Sequence, residues 1–168
     1  MTARTSGLIS EQKESPDRGL LEIYPVPEVL HLFQAVAHGE PVREFDEVFA
    51  VENEGFRDCL HGQSGKQILV TDSETLEEFD IPPGSGKENI TTRGIAIAEL
   101  RQGHRMRIGE ALLEVDKPCT SCHLMDEIRN GLQEAIRGRR GMICRVVESG
   151  RIHRGDRVEI EKHKGATE

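Results

Sequence analysis

The sequence predicts a β-rich fold, a barrel or sandwich interrupted by two short helices, on three observations. Short apolar runs recur along the chain, glycines or charged turns divide most of them, and only two segments carry helix-start signals. The β-like runs are 29–33, 48–51, 67–71, 94–98, 106–108, 111–115, 142–147 and 157–160. The first helix, 72–79, opens on the capping box Thr71-x-x-Glu74, in which each side chain satisfies the other residue's backbone N–H. The second begins near Ser121 and splits at Asn130-Gly131. Its Leu124, Ile128, Leu132 and Ile136 repeat at i, i+4, a spacing that gives one apolar face to pack on the barrel. Residues 1 to about 22 are polar, contain Ser15-Pro16-Asp17-Arg18-Gly19 and show no periodicity, so they read as a mobile arm. Residues 23–168 then form one domain, long enough to bury a core without disulfides.

Composition excludes several function classes. A net charge of −8 opposes nonspecific attraction to nucleic acid or anionic membranes, and one Tyr with no Trp leaves little surface for stacking bases. No run approaches the roughly 20 apolar residues that span a bilayer. Four cysteines in 168 residues lack the density of a secreted scaffold, so free thiols in a reducing cytoplasm are expected.

The chemistry concentrates in Lys117-Pro118-Cys119-Thr120-Ser121-Cys122-His123. Pro118 fixes its own φ and pushes Lys117 toward an extended conformation, while Ser121 reads as a helix cap. Cys119 thus falls at a strand-to-helix turn, where a nearby lysine and a helix N-terminus should depress its pKa and give a thiolate fit for soft metals or sulfur chemistry. Three other readings stay open for this segment. Cys119-x-x-Cys122-His123 matches a c-type haem attachment string, but no apolar export segment follows Met1. Zinc could recruit Cys119, Cys122, His123 and either Cys59 or His61, although no second unit has the usual ligand spacing. Cys122 and Cys144 are expected to be small buried hydrophobes. Two Gly-Lys stretches, Gly84-Ser85-Gly86-Lys87 and Gly62-Gln63-Ser64-Gly65-Lys66, miss the phosphate-loop pattern and read as turns whose amides could still cradle an anion.

The order of several segments resembles the MOSC family, named for the C-terminal domain of molybdenum cofactor sulfurase. Gly39-Glu40-Pro41-Val42 is similar to its early "G-x-P-M" turn, and the stretch from Asn53 to Gly62 to its "G-L-x-G-D-x-H-x-G" loop. Lys87-Glu88-Asn89-Ile90-Thr91-Thr92-Arg93-Gly94-Ile95 resembles "x-E-N-I-T-T-x-G-I", and Arg107-Ile108-Gly109-Glu110-Ala111 resembles "x-I-G-x-A". Lys117-Pro118-Cys119 falls where the family carries its reactive cysteine, and the stretch from Ser149 to Val158 looks like its closing "G-x-I-x-x-G-D-x-V" hairpin. Two departures stand out: Arg57 replaces the glycine usual before the aspartate, and Lys117 replaces an arginine, whose two-pronged hydrogen bonding a lysine lacks.

The resemblance implies a β-barrel-rich α/β fold with a few short flanking helices, and binding of the molybdenum cofactor, a phosphate-bearing pterin dithiolene (molybdopterin). It implies that Cys119 ligates molybdenum or handles sulfur, and that Arg57, His61, Asn89, Arg93 and Lys117 gather at the same pocket. Arg57, Lys66, Lys87, Arg93 and Lys117 could offset phosphate charge; Asn89 could bond the pterin or tie down its loop; His61 and His123 could move protons. Two activities are compatible with it: reduction of N-hydroxylated compounds with a separate electron donor, or cofactor carriage and sulfur transfer to a partner protein. A metal-binding domain without turnover is the third alternative.

Overall fold

The computed structural model describes residues 26–59 and 67–161, and the expectations for the N-terminal arm, for His61 and for the Gly62–Lys66 turn lie outside them. Eleven strands and three short helices occur among the described residues: β1 Glu28–Gln34, β2 Arg43–Phe45, β3 Glu47–Val51, β4 Gly55–Phe56, β5 Ile68–Asp72, α1 Ser73–Glu78, β6 Ile90–Arg93, β7 Arg105–Ile108, β8 Ala111–Pro118, α2 His123–Ile128, α3 Leu132–Ala135, β9 Met142–Glu148, β10 Gly150–His153 and β11 Val158–Glu161. Eight strands form one sheet in the order β11-β7-β8-β9-β5-β6-β1-β2, and β10-β3-β4 form a second. Only β5 and β6 run parallel. Every residue of β5 is buried; its apolar start Ile68-Leu69-Val70 fits a strand covered on both faces, which need not alternate, while Thr71 and Asp72 bring polar groups to its buried end.

The expected barrel is corrected to an open β-rich sheet. The ladder ends at β11 and β2, and its flanks meet through an isolated bridge between Glu28 and Arg157 and scattered bonds, such as Val158 N–H to the Pro27 carbonyl at 3.0 Å, without a closing strand pair. The closing hairpin is corrected too. β10 pairs with β3 and β11 with β7, so the two strands separate into different sheets. The run 94–98 forms no strand; a 3-10 turn, Ile97–Glu99, takes its place, held where the Asp72 carboxyl accepts the Ile97 N–H at 3.2 Å. That same carboxyl accepts the Thr75 N–H at 2.7 Å, which makes Asp72, not Thr71, the cap of α1. No helix among the described residues is long and apolar enough to cross a membrane.

Two apolar clusters hold the fold. The larger lies on the sheets and includes Leu32, Ile68, Ile90, Met106, Leu113 and Ile152, all fully buried. The smaller joins Leu76 of α1 and Ile81 just after it to Met125, Leu132 and Ile136, with Phe79, Leu124 and Ile128 packed against it. The apolar stripe of the second helical segment therefore docks on the α1 region and not on the main core. At about 1.5–3 kcal/mol per buried aliphatic side chain, this cluster is enough to seat helices too short to be stable alone. It also fixes α2 and α3 directly after Cys119.

Candidate functional site

Cys119 follows the end of β8, where Pro118 is level with Met142 of β9, and its N–H donates to the Gly141 carbonyl at 2.9 Å. Gly141 is required there. Its φ is +123°, and a Cβ would stand 2.5 Å from the Val70 carbonyl oxygen of β5 and 3.3 Å from Thr71 Cβ. The bare backbone lets the chain entering β9 press against β5, and its carbonyl then anchors Cys119.

The half-buried Cys119 opens into a cleft of about 390 Å³, lined by Pro118, Cys119, Thr120, Ser121, Gln133, Arg137 and Gly138. Burial pushes its thiol above the usual range; the Arg140 guanidinium opposes that most strongly, Cys122 adds to the rise, and Lys117 opposes it more weakly. The expected depression of the thiol pKa is thus reversed. Desolvation outweighs the cations, and α2 starts only at His123, with Cys122 in the cap position making no side-chain cap bond. None of the four cysteines is disulfide-bonded. Cys144 is fully buried in β9, as expected, with its thiol pushed up by burial and then by Asp116. Cys122 departs from expectation and is exposed, because the turn between β8 and α2 carries it outward. His123 is also exposed, 3.7 Å from Glu127. No three His, Cys, Asp or Glu side chains among the described residues converge as a metal site.

The structure separates several residues that the sequence grouped. Asn89 is committed to backbone: its Oδ1 accepts the Leu69 N–H at 2.9 Å and its Nδ2 donates to the Phe33 carbonyl at 3.3 Å, tying β5 to β1. Arg93 pairs with Glu28 in a different cleft of about 520 Å³, whose wall includes Asp46, His153 and Arg154. Arg57 is exposed and stacks on the Phe49 ring at 4.2 Å, on the smaller sheet. Lys117 is exposed beside Cys119. Lys87 is exposed in the 82–88 turn with φ +61°.

Sequence reasoning missed Arg140 and Glu88. Arg140 is 7% exposed and donates through Nη2 to the Gly86 carbonyl, while its Nε has no partner. Glu88 is fully buried; its Oε2 accepts the Gly84 N–H at 2.6 Å and the Thr91 hydroxyl at 3.3 Å, and its Oε1 is unpartnered. A Cβ on Gly86 would lie 3.3 Å from Glu88 Oε1 and 3.4 Å from Arg140 Nη2, so both side chains close on one point of the 82–88 turn. The signal for Arg140 was the run Arg137-Gly138-Arg139-Arg140-Gly141, three cations around a turn.

The model of the MOSC domain family matches residues 58–159, most of the sheet and the whole Cys119 segment. The chain belongs to the MOSC domain family. Among solved structures this MOSC chain resembles the YuaD protein of Bacillus subtilis, with a TM-score of 0.66 and 17% identity over 81% of this chain and 96% of that one. It also resembles YiiM of Geobacillus stearothermophilus, with TM-score 0.63 and 20% identity over 83% and 77%, and YiiM of Escherichia coli, with TM-score 0.60 and 19% identity over 80% and 70%. These likenesses are of fold. No curated protein matches the chain by sequence.

Proposed function

We propose that this MOSC protein binds the molybdenum cofactor at the Cys119 cleft, with Cys119 as the metal ligand. The observation that carries the reading is a soft thiol at a cleft beside a buried guanidinium whose Nε has no protein partner. The residues fit the group: thiolate sulfur suits a metal already held by sulfur, and an unmatched buried cation suits a ligand bearing a phosphate. When bound, the cofactor supplies two-electron oxidation and reduction. The chain's own part is to hold Cys119 through the Gly141 carbonyl, keep it half-buried from water, and balance negative charge with Arg140 and Lys117.

Reduction of N-hydroxylated compounds then needs an electron donor from another protein, and the reducing cytoplasm is the compartment in which four unbridged cysteines are compatible with it. A second reading, cofactor carriage or sulfur transfer to a partner, is favoured by the exposed Cys122 close enough to Cys119 to influence its ionisation. Of the cofactor-binding residues that the family resemblance implies, Lys117 and Cys119 stay in this proposal. Asn89 serves it indirectly, by fixing the strands β1 and β5. Arg57 and Arg93 carry less weight, because each already has a partner.

The test is metal analysis with pterin fluorescence on protein made in a host that synthesises the cofactor. Molybdenum and pterin near one per chain are expected; protein free of both would overturn the reading.

A further inference from the structure

We infer that the cleft over Cys119 selects reactants carrying an anionic group, a carboxylate or an oxyanion, through Arg137 in its wall and the buried Arg140 two residues beyond its Gly138. This deepens the proposal above. It rests on the Cys119 cleft being the functional site and not on which cofactor the protein holds.

Three observations lead there. Arg137 lines the cleft, and its partner is Glu134 at 2.5 Å, an i, i+3 surface pair with both side chains more than 70% exposed. Such pairs are weak, so Arg137 can exchange Glu134 for an entering anion with little loss. Arg140 sits next to Gly141, whose carbonyl holds Cys119, and its buried guanidinium meets one carbonyl and leaves Nε empty. A buried cation so poorly matched is costly unless something completes it. Gln133 lies four residues before Arg137 on the same cleft wall and adds an amide that can donate to an oxyanion. The chain's overall charge of −8 would repel an anion, so attraction at this cleft would have to be local.

The test compares alkylation of Cys119 by iodoacetate, an anion, and by iodoacetamide, its neutral counterpart, in the full chain made in a host that lacks the cofactor so that the thiol is free, followed by mass spectrometry of the Cys119 peptide. Both reagents attack the same thiolate, so the ratio of their rates cancels the ionised fraction and reads the local potential. In the folded protein the iodoacetate-to-iodoacetamide ratio should exceed that of the same peptide in urea-unfolded protein by about tenfold, the low end for a charged cleft. Arg137→Gln and Arg140→Gln should each reduce it several-fold. A folded ratio at or below the unfolded one overturns the inference and leaves the separate metal and pterin test of the cofactor untouched. So does an unchanged ratio in Arg137→Gln, which alters only a surface pair and decides the matter even if Arg140→Gln does not fold. Inorganic phosphate and acetate, added separately, distinguish oxyanion from carboxylate by which one slows iodoacetamide; slowing by neither overturns the selection.

Discussion

Two arginine-bearing clefts face different fates in this protein. At the β1 flank, Arg93 meets Glu28, Arg154 meets Asp46 at 3.2 Å and Glu44 at 3.6 Å, and His153 lies 3.2 Å from Glu47, so each basic side chain faces a carboxylate in a solvent-exposed network. Beside Cys119, Arg140 is buried and meets a carbonyl, with Glu88 drawn toward the same glycine but making no ion pair with it. A matched exposed pair contributes little to stability and offers little to a ligand. An incompletely matched buried cation costs stability and offers more to a ligand that completes it. The difference distinguishes an electrostatic surface from a candidate binding site.

The largest expected effect comes from the backbone that builds the Cys119 side. Gly141→Ala should lower unfolding stability by about 2–3 kcal/mol, from left-handed strain and the approach to the Val70 carbonyl, read as a lower urea midpoint. No change in midpoint would mean that the β5–β9 approach is looser than described.

The two charge arrangements can be separated by substitution. The double variant Arg140→Met, Glu88→Gln removes both buried ionisable groups and should leave stability unchanged or raise it by about 1 kcal/mol while abolishing cofactor retention. A loss of about 3–5 kcal/mol would instead mark these two side chains as structural. Arg93→Ala, whose charge is already matched by Glu28, should cost only about 0.2–1 kcal/mol and leave cofactor content near wild type. Loss of cofactor there would erase the contrast between the clefts.

The smallest effect is a pH dependence at Cys144. Its folded thiol is pushed up by burial, so the folded state holds its proton where the unfolded chain, with an ordinary pKa of about 8.5, releases it. The resulting stability is complete below that pH and declines as pH rises above it. In Cys144→Ala the decline above pH of about 8.5 should be shallower than in wild type, measured by urea denaturation across the range. An unaltered slope would place its origin in other groups.

How much was legible in the sequence depended on whether a feature was local. Seven of the eight β-like runs became strands because apolar residues bounded by turns already state burial and reversal, and the split at Asn130-Gly131 was visible because Gly131 takes φ +88° between α2 and α3. Short strands such as β4, Gly55–Phe56, owe their existence to a neighbour across the sheet and carry no periodicity of their own. Neither Asp72 as cap nor the divergence of β10 from β11 was readable, since each depends on which strand lies alongside. The Cys119 loop was found from its composition, but the direction of its pKa was not, because burial is set by elements far away in sequence. Arg140 was hidden for the same reason: only folding brings Gly86 to it.

The measurement that tests the central claim most directly is molybdenum content per chain in Cys119→Ser and Cys122→Ser beside wild type, all made in a host that synthesises the cofactor. The exchange at Cys119 is nearly isosteric and keeps the backbone bond to Gly141, so circular dichroism should be unchanged. Molybdenum should fall to background in Cys119→Ser and stay at the wild-type level in Cys122→Ser. Equal molybdenum in wild type and Cys119→Ser would contradict the account, because the metal would then be held by something other than the thiol in this cleft.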